Sequence, residues 1–197
     1  MKKVLGALLA LMMIVPAAFS QSDTITKKSA LGIYFLFNDF RTAASIRSNS
    51  LGAVLKDKQF GKIKDMSPGL ALSYLQGLTP KLDISTTLAG SFLDYPFEGQ
   101  LLSGNESLLL EADASLHAKM VDDSHWVVPY LSAGLGISKF KGYYGTFLPL
   151  GAGIQVNFFD DAFLIINSQY RVKVTDNTNY HFYFSLGIVG NLSAKKE

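Results

Sequence analysis

Cysteine is absent from the chain, so neither a disulfide framework nor a thiolate metal site can form. Charge of one sign is not in excess either: 18 Lys and Arg stand against 16 Asp and Glu, a balance that leaves no basic footprint for nucleic acid. Past residue 20 no uncharged apolar run approaches the roughly 20 residues of a membrane-spanning helix, so only strands could cross a bilayer. Internal repeats and low-complexity linkers are also missing, which makes the sequence that of one domain. Stability then rests on burial and backbone pairing.

What is present begins with an export signal. The opening MKKVLGALLALMMIVPAAFSQSD sets Lys2 and Lys3 before an apolar run from Val4 to Phe19, then Ala18-Phe19-Ser20 at the cleavage position. The run is short for a membrane span and contains Pro16, so cleavage after Ser20 is expected. Losing the two lysines leaves 16 basic against 16 acidic residues. The expected organisation is a signal peptide over 1–20, an N-terminal tail over 21–28, one β domain over 29–193 and a C-terminal tail over 194–197.

The stretch SLLLEADASLHAKM, residues 107 to 120, alternates strictly. On a helix, Glu111, Asp113, His117 and Lys119 would scatter to roughly 0°, 200°, 240° and 80°. On a strand all four share one face, with Leu108, Leu110, Ala112, Ala114, Leu116, Ala118 and Met120 on the other. Such period-two stretches recur at about Ala30–Asn38, Gly69–Gly77, Leu82–Leu93, Leu108–Met120, Trp126–Ser138, Phe147–Phe158, Ala162–Val174 and Tyr180–Leu192. Each is long enough to cross a bilayer when tilted, which takes roughly 9 to 11 residues. Eight strands with an even count predict an antiparallel up-and-down arrangement.

The connections carry a second pattern. Gln76–Lys81, Val121–His125 and Phe159–Asp161 are turn-like, whereas Asp39–Pro68, Tyr95–Glu106, Lys139–Thr146 and Thr175–Asn179 are longer. Short turns at one rim and longer loops at the other are the habit of outer-membrane barrels, with turns and both termini on the periplasmic side.

Alternation alone does not say which face is outside. A soluble lipocalin-type carrier would turn its apolar face inward around a ligand. Volume argues for the inverse, because an eight-stranded barrel holds little more than its own side chains. Gly32, Gly134, Gly136, Gly151, Gly153, Gly187, Ser132 and Ser185 fall on the polar parity, leaving room for Glu111, Asp113, Gln169, Arg171 and Lys173 to extend inward. The opposite parity is bulky and nearly free of charge, as hydrocarbon demands when a lipid-facing Arg or Lys at midplane costs about 2 to 4 kcal/mol. Aromatics beside the turns (Trp126, Tyr130, Phe158, Phe159, Phe163) and beside the loops (Phe92, Tyr95, Tyr143, Tyr144, Phe147, Tyr180, Phe182) predict two girdles. Pro129 and Pro149 interrupt the fifth and sixth stretches and are expected at the rim.

The segment GYYGTFLPLGAGIQVNFFDDAFLIINSQYRV, Gly142 to Val172, followed by YHFYFSLGIVGNL, Tyr180 to Leu192, resembles the outer-membrane β-barrel proteins of the OmpA and OmpX type. It looks most like the barrel halves of OmpA-family proteins from Bacteroidetes. The resemblance spans about Ser29 to Leu192 and implies an all-β, eight-stranded antiparallel up-and-down transmembrane barrel with a polar lumen, sited in the bacterial outer membrane as a monomer. It also implies outer-membrane lipid and the barrel-insertion machinery as partners. Ser185, Gly187 and Leu192 partly resemble the terminal signal which that machinery reads, with Gly190 where a hydrophobic residue is usual. In OmpA-family chains a peptidoglycan-binding domain follows the barrel; none is expected here, where the sequence runs out at Ala194-Lys195-Lys196-Glu197.

Candidate chemistry sits on the polar parity. Glu111, Asp113, His117, Lys119, Arg171 and Lys173 are expected to pair across the lumen as an ion-pair network that plugs it and holds register. Glu111, Ser115 and His117 resemble hydrolase components, but neighbours on one strand face lie about 7 Å apart, beyond a nucleophile–base hydrogen bond of about 2.6 to 3.2 Å. No catalytic residue and no cofactor is therefore expected. Asp122, Asp123 and His125 form a turn whose single imidazole is a poor metal site. The first loop carries Arg41, Arg47, Lys56, Lys58, Lys62 and Lys64, candidates for contact with phosphates of surface lipid. The expected role is structural or surface-interacting, with a small-solute pore, a soluble carrier and a lipid-modifying barrel enzyme as alternatives.

Overall fold

A computed structural model describes residues 26–58, 60–93, 107–159 and 162–192. The signal-peptide stretch, most of the N-terminal tail, the whole second loop expected over Tyr95–Glu106, and the C-terminal tail lie outside the described residues. Eight strands run β1 (Ala30–Asp39), β2 (Ser67–Thr79), β3 (Leu82–Phe92), β4 (Leu108–Lys119), β5 (Val127–Phe140), β6 (Tyr143–Phe159), β7 (Ala162–Lys173) and β8 (His181–Asn191). Each pairs antiparallel with its sequence neighbour, and β1 pairs with β8 to close the cylinder. Closure removes every sheet edge, so each strand satisfies its backbone groups on both sides, the condition for crossing hydrocarbon. No helix among the described residues is long and apolar enough to cross a membrane.

Parity decides what each wall position meets. Ile33, Phe35, Leu135 and Ile188 point out at 65, 68, 70 and 68% exposure, while Arg171 and Glu111 point in at 0 and 2%. Among the described residues Lys139 is the charged strand residue that turns outward, and it stands at the loop rim with Tyr144 beside it at 5.6 Å. Leu36, which blurs the first strand's alternation, is buried in the bore, as are Leu75 and Val128.

Inward glycines make room for rings. A Cβ on Gly136 would lie 2.3 Å from the Phe147 ring, and one on Gly153 would lie 2.3 Å from Tyr130. Phe147, Tyr130 and Phe163 are thus buried inside, which corrects their expected place in the aromatic girdles. Trp126, Phe158, Phe92 and Tyr144 do stand outside, while Tyr143, opposite the buried Phe140, is on the inward parity and exposed at the hairpin tip. Pro149 is also no rim residue: it is buried within β6 opposite Arg171, and the β5–β6 ladder skips from Ala133–Leu150 to Gly136–Phe147 around it. Without an N–H, proline cannot donate to that ladder, and the break is the result.

The two rims differ less regularly than the sequence implies. Lys139–Thr146, expected to be a longer loop, is a hairpin in which Phe140 pairs with Tyr143. Its two turn residues, Lys141 (φ 48°) and Gly142 (φ 85°), have the positive φ that a tight right-twisted hairpin requires. The first loop, by contrast, folds into two helices, α1 (Phe40–Ser48) and α2 (Leu51–Lys56), and a 3₁₀ turn over Ile63–Asp65. Asp39 caps α1 by accepting from the Thr42 N–H at 2.8 Å, satisfying one of the helix's free donors. This seats Phe40 in a buried cluster with Leu93, Leu109 and Phe140 that covers the loop end of the bore.

Candidate functional site: the charged bore and the loop face

The inward charges fall into two clusters separated along the axis. In the loop-side cluster Arg171 on β7 is the centre. Its Nη1 donates to Glu111 Oε2 at 2.6 Å and its Nη2 to Asp113 Oδ2 at 3.1 Å, both on β4 across the bore. The guanidinium lies 3.8 Å from the Tyr183 ring centroid and 4.8 Å from that of Phe147. His181 Nε2 approaches the other Glu111 oxygen at 3.3 Å. Asn38 Nδ2 on β1 donates to Glu111 Oε2 at 3.4 Å and Ser115 Oγ on β4 donates to Asp113 at 3.0 Å, so each carboxylate has a second partner besides Arg171.

The turn-side cluster alternates two lysines with two aspartates. Lys119 Nζ contacts Asp83 Oδ1 at 2.9 Å and Asp123 Oδ2 at 2.5 Å. Lys27, from the segment before β1, enters the bore and contacts Asp83 Oδ2 at 2.5 Å and Asp123 Oδ1 at 3.5 Å. Its backbone carbonyl accepts from Gly77 N–H at 3.1 Å, and its ammonium lies 4.8 Å from the Phe163 ring.

The structure therefore brings together Glu111, Asp113 and Arg171, but not all six expected network members. Lys119 belongs to the other cluster, because it follows Glu111 by eight positions, roughly 26 Å of strand. Among the described residues His117 makes no ion pair with a carboxylate; it shares a 3.0 Å hydrogen bond with Ser85 and stacks on Tyr130 at 4.5 Å. Lys173 leaves the bore for the loop rim, where it meets Asp176 at 3.6 Å. Sequence reasoning missed Lys27, Asp83, Asp123, His181 and Tyr183 as partners. Parity could have supplied Asp83, opposite His117 in the β3–β4 register, and His181, two residues before Tyr183. Nothing in the pattern places Lys27.

Between the clusters the free space is small. A cavity lined by Tyr34, Tyr130, His117, Ser85, Gln169 and Arg171, among others, measures about 20 Å³, roughly the room for one water. The turn residues weighed as a metal site do not converge: Asp123 faces the bore, while Asp122 meets His125 Nδ1 at 3.1 Å in solvent. Hydrogen bonds from the Ser124 hydroxyl and N–H, then from His125, hold the Asp122 carboxyl below its usual range. Arg41 pairs with Asp65 at 3.4 Å and Arg47 stacks 3.8 Å over Tyr180. Lys56 ends α2, Lys58 sits at φ 51°, and Lys62 and Lys64 flank and occupy the 3₁₀ turn.

An apolar outer wall around a charged, filled bore defines the class: a closed eight-stranded barrel with the transmembrane fold of the OmpA and OmpX type. Comparison of folds gives the particulars. The barrel is similar to the Yersinia pestis attachment invasion locus protein Ail (TM-score 0.52, 13% identity, covering 84% of this chain and 99% of that one). It is similar to Neisserial surface protein A (TM-score 0.56, 12% identity, 86% and 100%). It is also similar to the N-terminal barrel domain of Pseudomonas aeruginosa OprF (TM-score 0.52, 12% identity, 84% and 98%). At such identities the likeness is one of fold. No protein-family model matches the sequence, and no curated protein does either.

Proposed function

We propose that this chain is an integral outer-membrane barrel with a structural or surface-interaction role, its bore closed by its own side chains. One observation carries the reading: the wall is apolar outside and every strand carboxylate is inside, the inverse of what water on the outside would select. In this orientation the short turns and the Lys27 segment are periplasmic and the first loop is extracellular. Two of the similar barrels bear the names attachment invasion locus protein and surface protein, which agrees with a role at the cell surface.

The filled bore weighs against a pore and against a carrier, since about 20 Å³ admits neither a solute nor an apolar ligand. Catalysis has one geometric argument in its favour, the 3.0 Å contact between Ser85 Oγ and His117 Nε2, a spacing proper to a nucleophile and its base. Both groups are buried in the bore beside that small cavity, out of reach of an acyl chain. The test is cell fractionation combined with heat-modifiable migration on a detergent gel. Sedimentation with the outer membrane and a compact unheated band are expected; recovery in the periplasmic supernatant without detergent would reject the reading.

A further inference from the structure

A pocket of about 290 Å³ opens on the loop face, outside both charge clusters, between the last turn of α1 and the β7–β8 loop. Its lining includes Phe40, Arg47, Ser48, Lys173, Asn179 and Tyr180. Two cations meet there from distant parts of the sequence. The Arg47 guanidinium stacks 3.8 Å over the Tyr180 ring, and Lys173 Nζ lies 5.9 Å from the same ring's centroid. Among the described residues Arg47 makes no ion pair with a carboxylate. The acid paired with Lys173 is Asp176, 3.6 Å away and itself fully exposed.

Several contacts brace the pocket walls. Phe40 stacks on His181 at 4.3 Å, closing the floor over the bore. The β7–β8 loop is held by Thr146 N–H donating to Thr175 Oγ1 at 2.9 Å and by Asn177 Nδ2 donating to the Tyr144 carbonyl at 3.2 Å. The Asn179 carbonyl meets His181 Nδ1 at 3.0 Å, which sets that residue's backbone. A concave site with two cations, a hydroxyl, an amide and an aromatic edge has the donors of an oxyanion site: guanidinium binds phosphate or sulfate in two-point fashion, and ammonium adds a point charge. Its volume is at the small end of ligand pockets, the size of a single sugar unit.

We infer that this pocket binds the phosphate or sulfate ester of a sugar, with Arg47 and Lys173 holding the oxyanion and Ser48, Asn179 and Tyr180 contacting the ring. The inference rests on the surface-interaction reading, because it needs the loop face turned outward. The ester could belong to a glycolipid headgroup of the surrounding leaflet or to a soluble glycan.

The test uses the full chain in phosphatidylcholine nanodiscs, titrated with glucose 6-phosphate and glucosamine 6-sulfate while the Asn179 and Tyr180 amide resonances are followed. Saturable, salt-sensitive shifts are expected from both probes and none from glucose. Arg47→Gln and Lys173→Gln should each weaken binding by about tenfold or more, the loss of one charge-assisted hydrogen bond, and Asp176→Asn should tighten it. Unchanged heat-modifiable migration certifies that the variants are folded. Repeating the titration in nanodiscs containing lipid A assigns the source: suppression of the sugar signal points to a lipid headgroup, and an unaltered signal points to a soluble glycan. Absence of saturable shifts in the β7–β8 loop, equal shifts from glucose, or affinity unchanged in both glutamine variants would overturn the inference. Fractionation reads membrane location independently, so the two proposals fail separately.

Discussion

Replacing Arg171 with Met tests whether the bore's charges form a coupled unit. Arg171 is fully buried and its guanidinium meets two buried carboxylates, Glu111 at 2.6 Å and Asp113 at 3.1 Å. At an effective dielectric of about 20 each contact is worth roughly 5 to 6 kcal/mol of Coulomb attraction, and each buried ion costs several kcal/mol of lost hydration. The intact triad therefore adds little net stability. The variant deletes both attractions and leaves both carboxylate penalties in place, so a loss of about 3 to 5 kcal/mol is expected. Urea unfolding in lipid vesicles, followed by the heat-modifiable gel shift, measures it. The triple variant Arg171→Met, Glu111→Gln, Asp113→Asn removes the stranded charges together with their partner and should recover most of the loss. A single variant within about 1 kcal/mol of the native chain, or a triple variant no better than the single one, would refute the coupling.

Three further outcomes follow from the same geometry. Ile166→Arg, on the outer wall, should cost about 2 to 4 kcal/mol in vesicle unfolding, whereas Leu51→Arg on α2 should stay within about 0.5 kcal/mol. Gly153→Val should reduce the yield of compact barrel on refolding into detergent, because its Cβ would meet the Tyr130 ring at 2.3 Å and overpacking costs about 1 to 3 kcal/mol. Gly142→Val places a β-branched residue at φ 85° in the β5–β6 turn and should destabilise the barrel by about 1 kcal/mol or more, measured by the same unfolding assay.

Strand parity was legible because hydrocarbon and a packed bore impose opposite demands on alternate residues. The seventh stretch, expected over Ala162–Val174, is β7 over Ala162–Lys173. Facing was also legible for Glu111, Asp113 and Arg171, since parity alone turns all three inward. Depth was not. A period-two pattern says which way a side chain points and nothing about its height on the axis, so it does not separate Lys119 from charges far along β4, nor show that Lys173, one same-face step beyond Arg171, already stands at the loop rim. Rings were misassigned for a related reason: proximity to a turn suggests a girdle, but Tyr130, Phe147 and Phe163 lie on the inward parity, and glycines such as Gly136 and Gly153 make the space they fill. The Lys139–Thr146 segment read as a loop by its length of polar and glycine residues, whereas two positive-φ residues suffice to make it a hairpin. Lys27 was invisible because its place depends on how the chain folds back under β2, which no local pattern encodes.

The central claim is that lipid lies outside the wall and the charges within it. Since the chain has no cysteine, single Cys substitutions along β7 from Leu164 to Arg171 can each carry one spin label in lipid vesicles. Accessibility to membrane-dissolved oxygen should then be high at Leu164, Ile166, Ser168 and Tyr170 and low at Ile165, Asn167, Gln169 and Arg171. The reverse alternation, or high oxygen accessibility at Asn167 and Gln169, would contradict it.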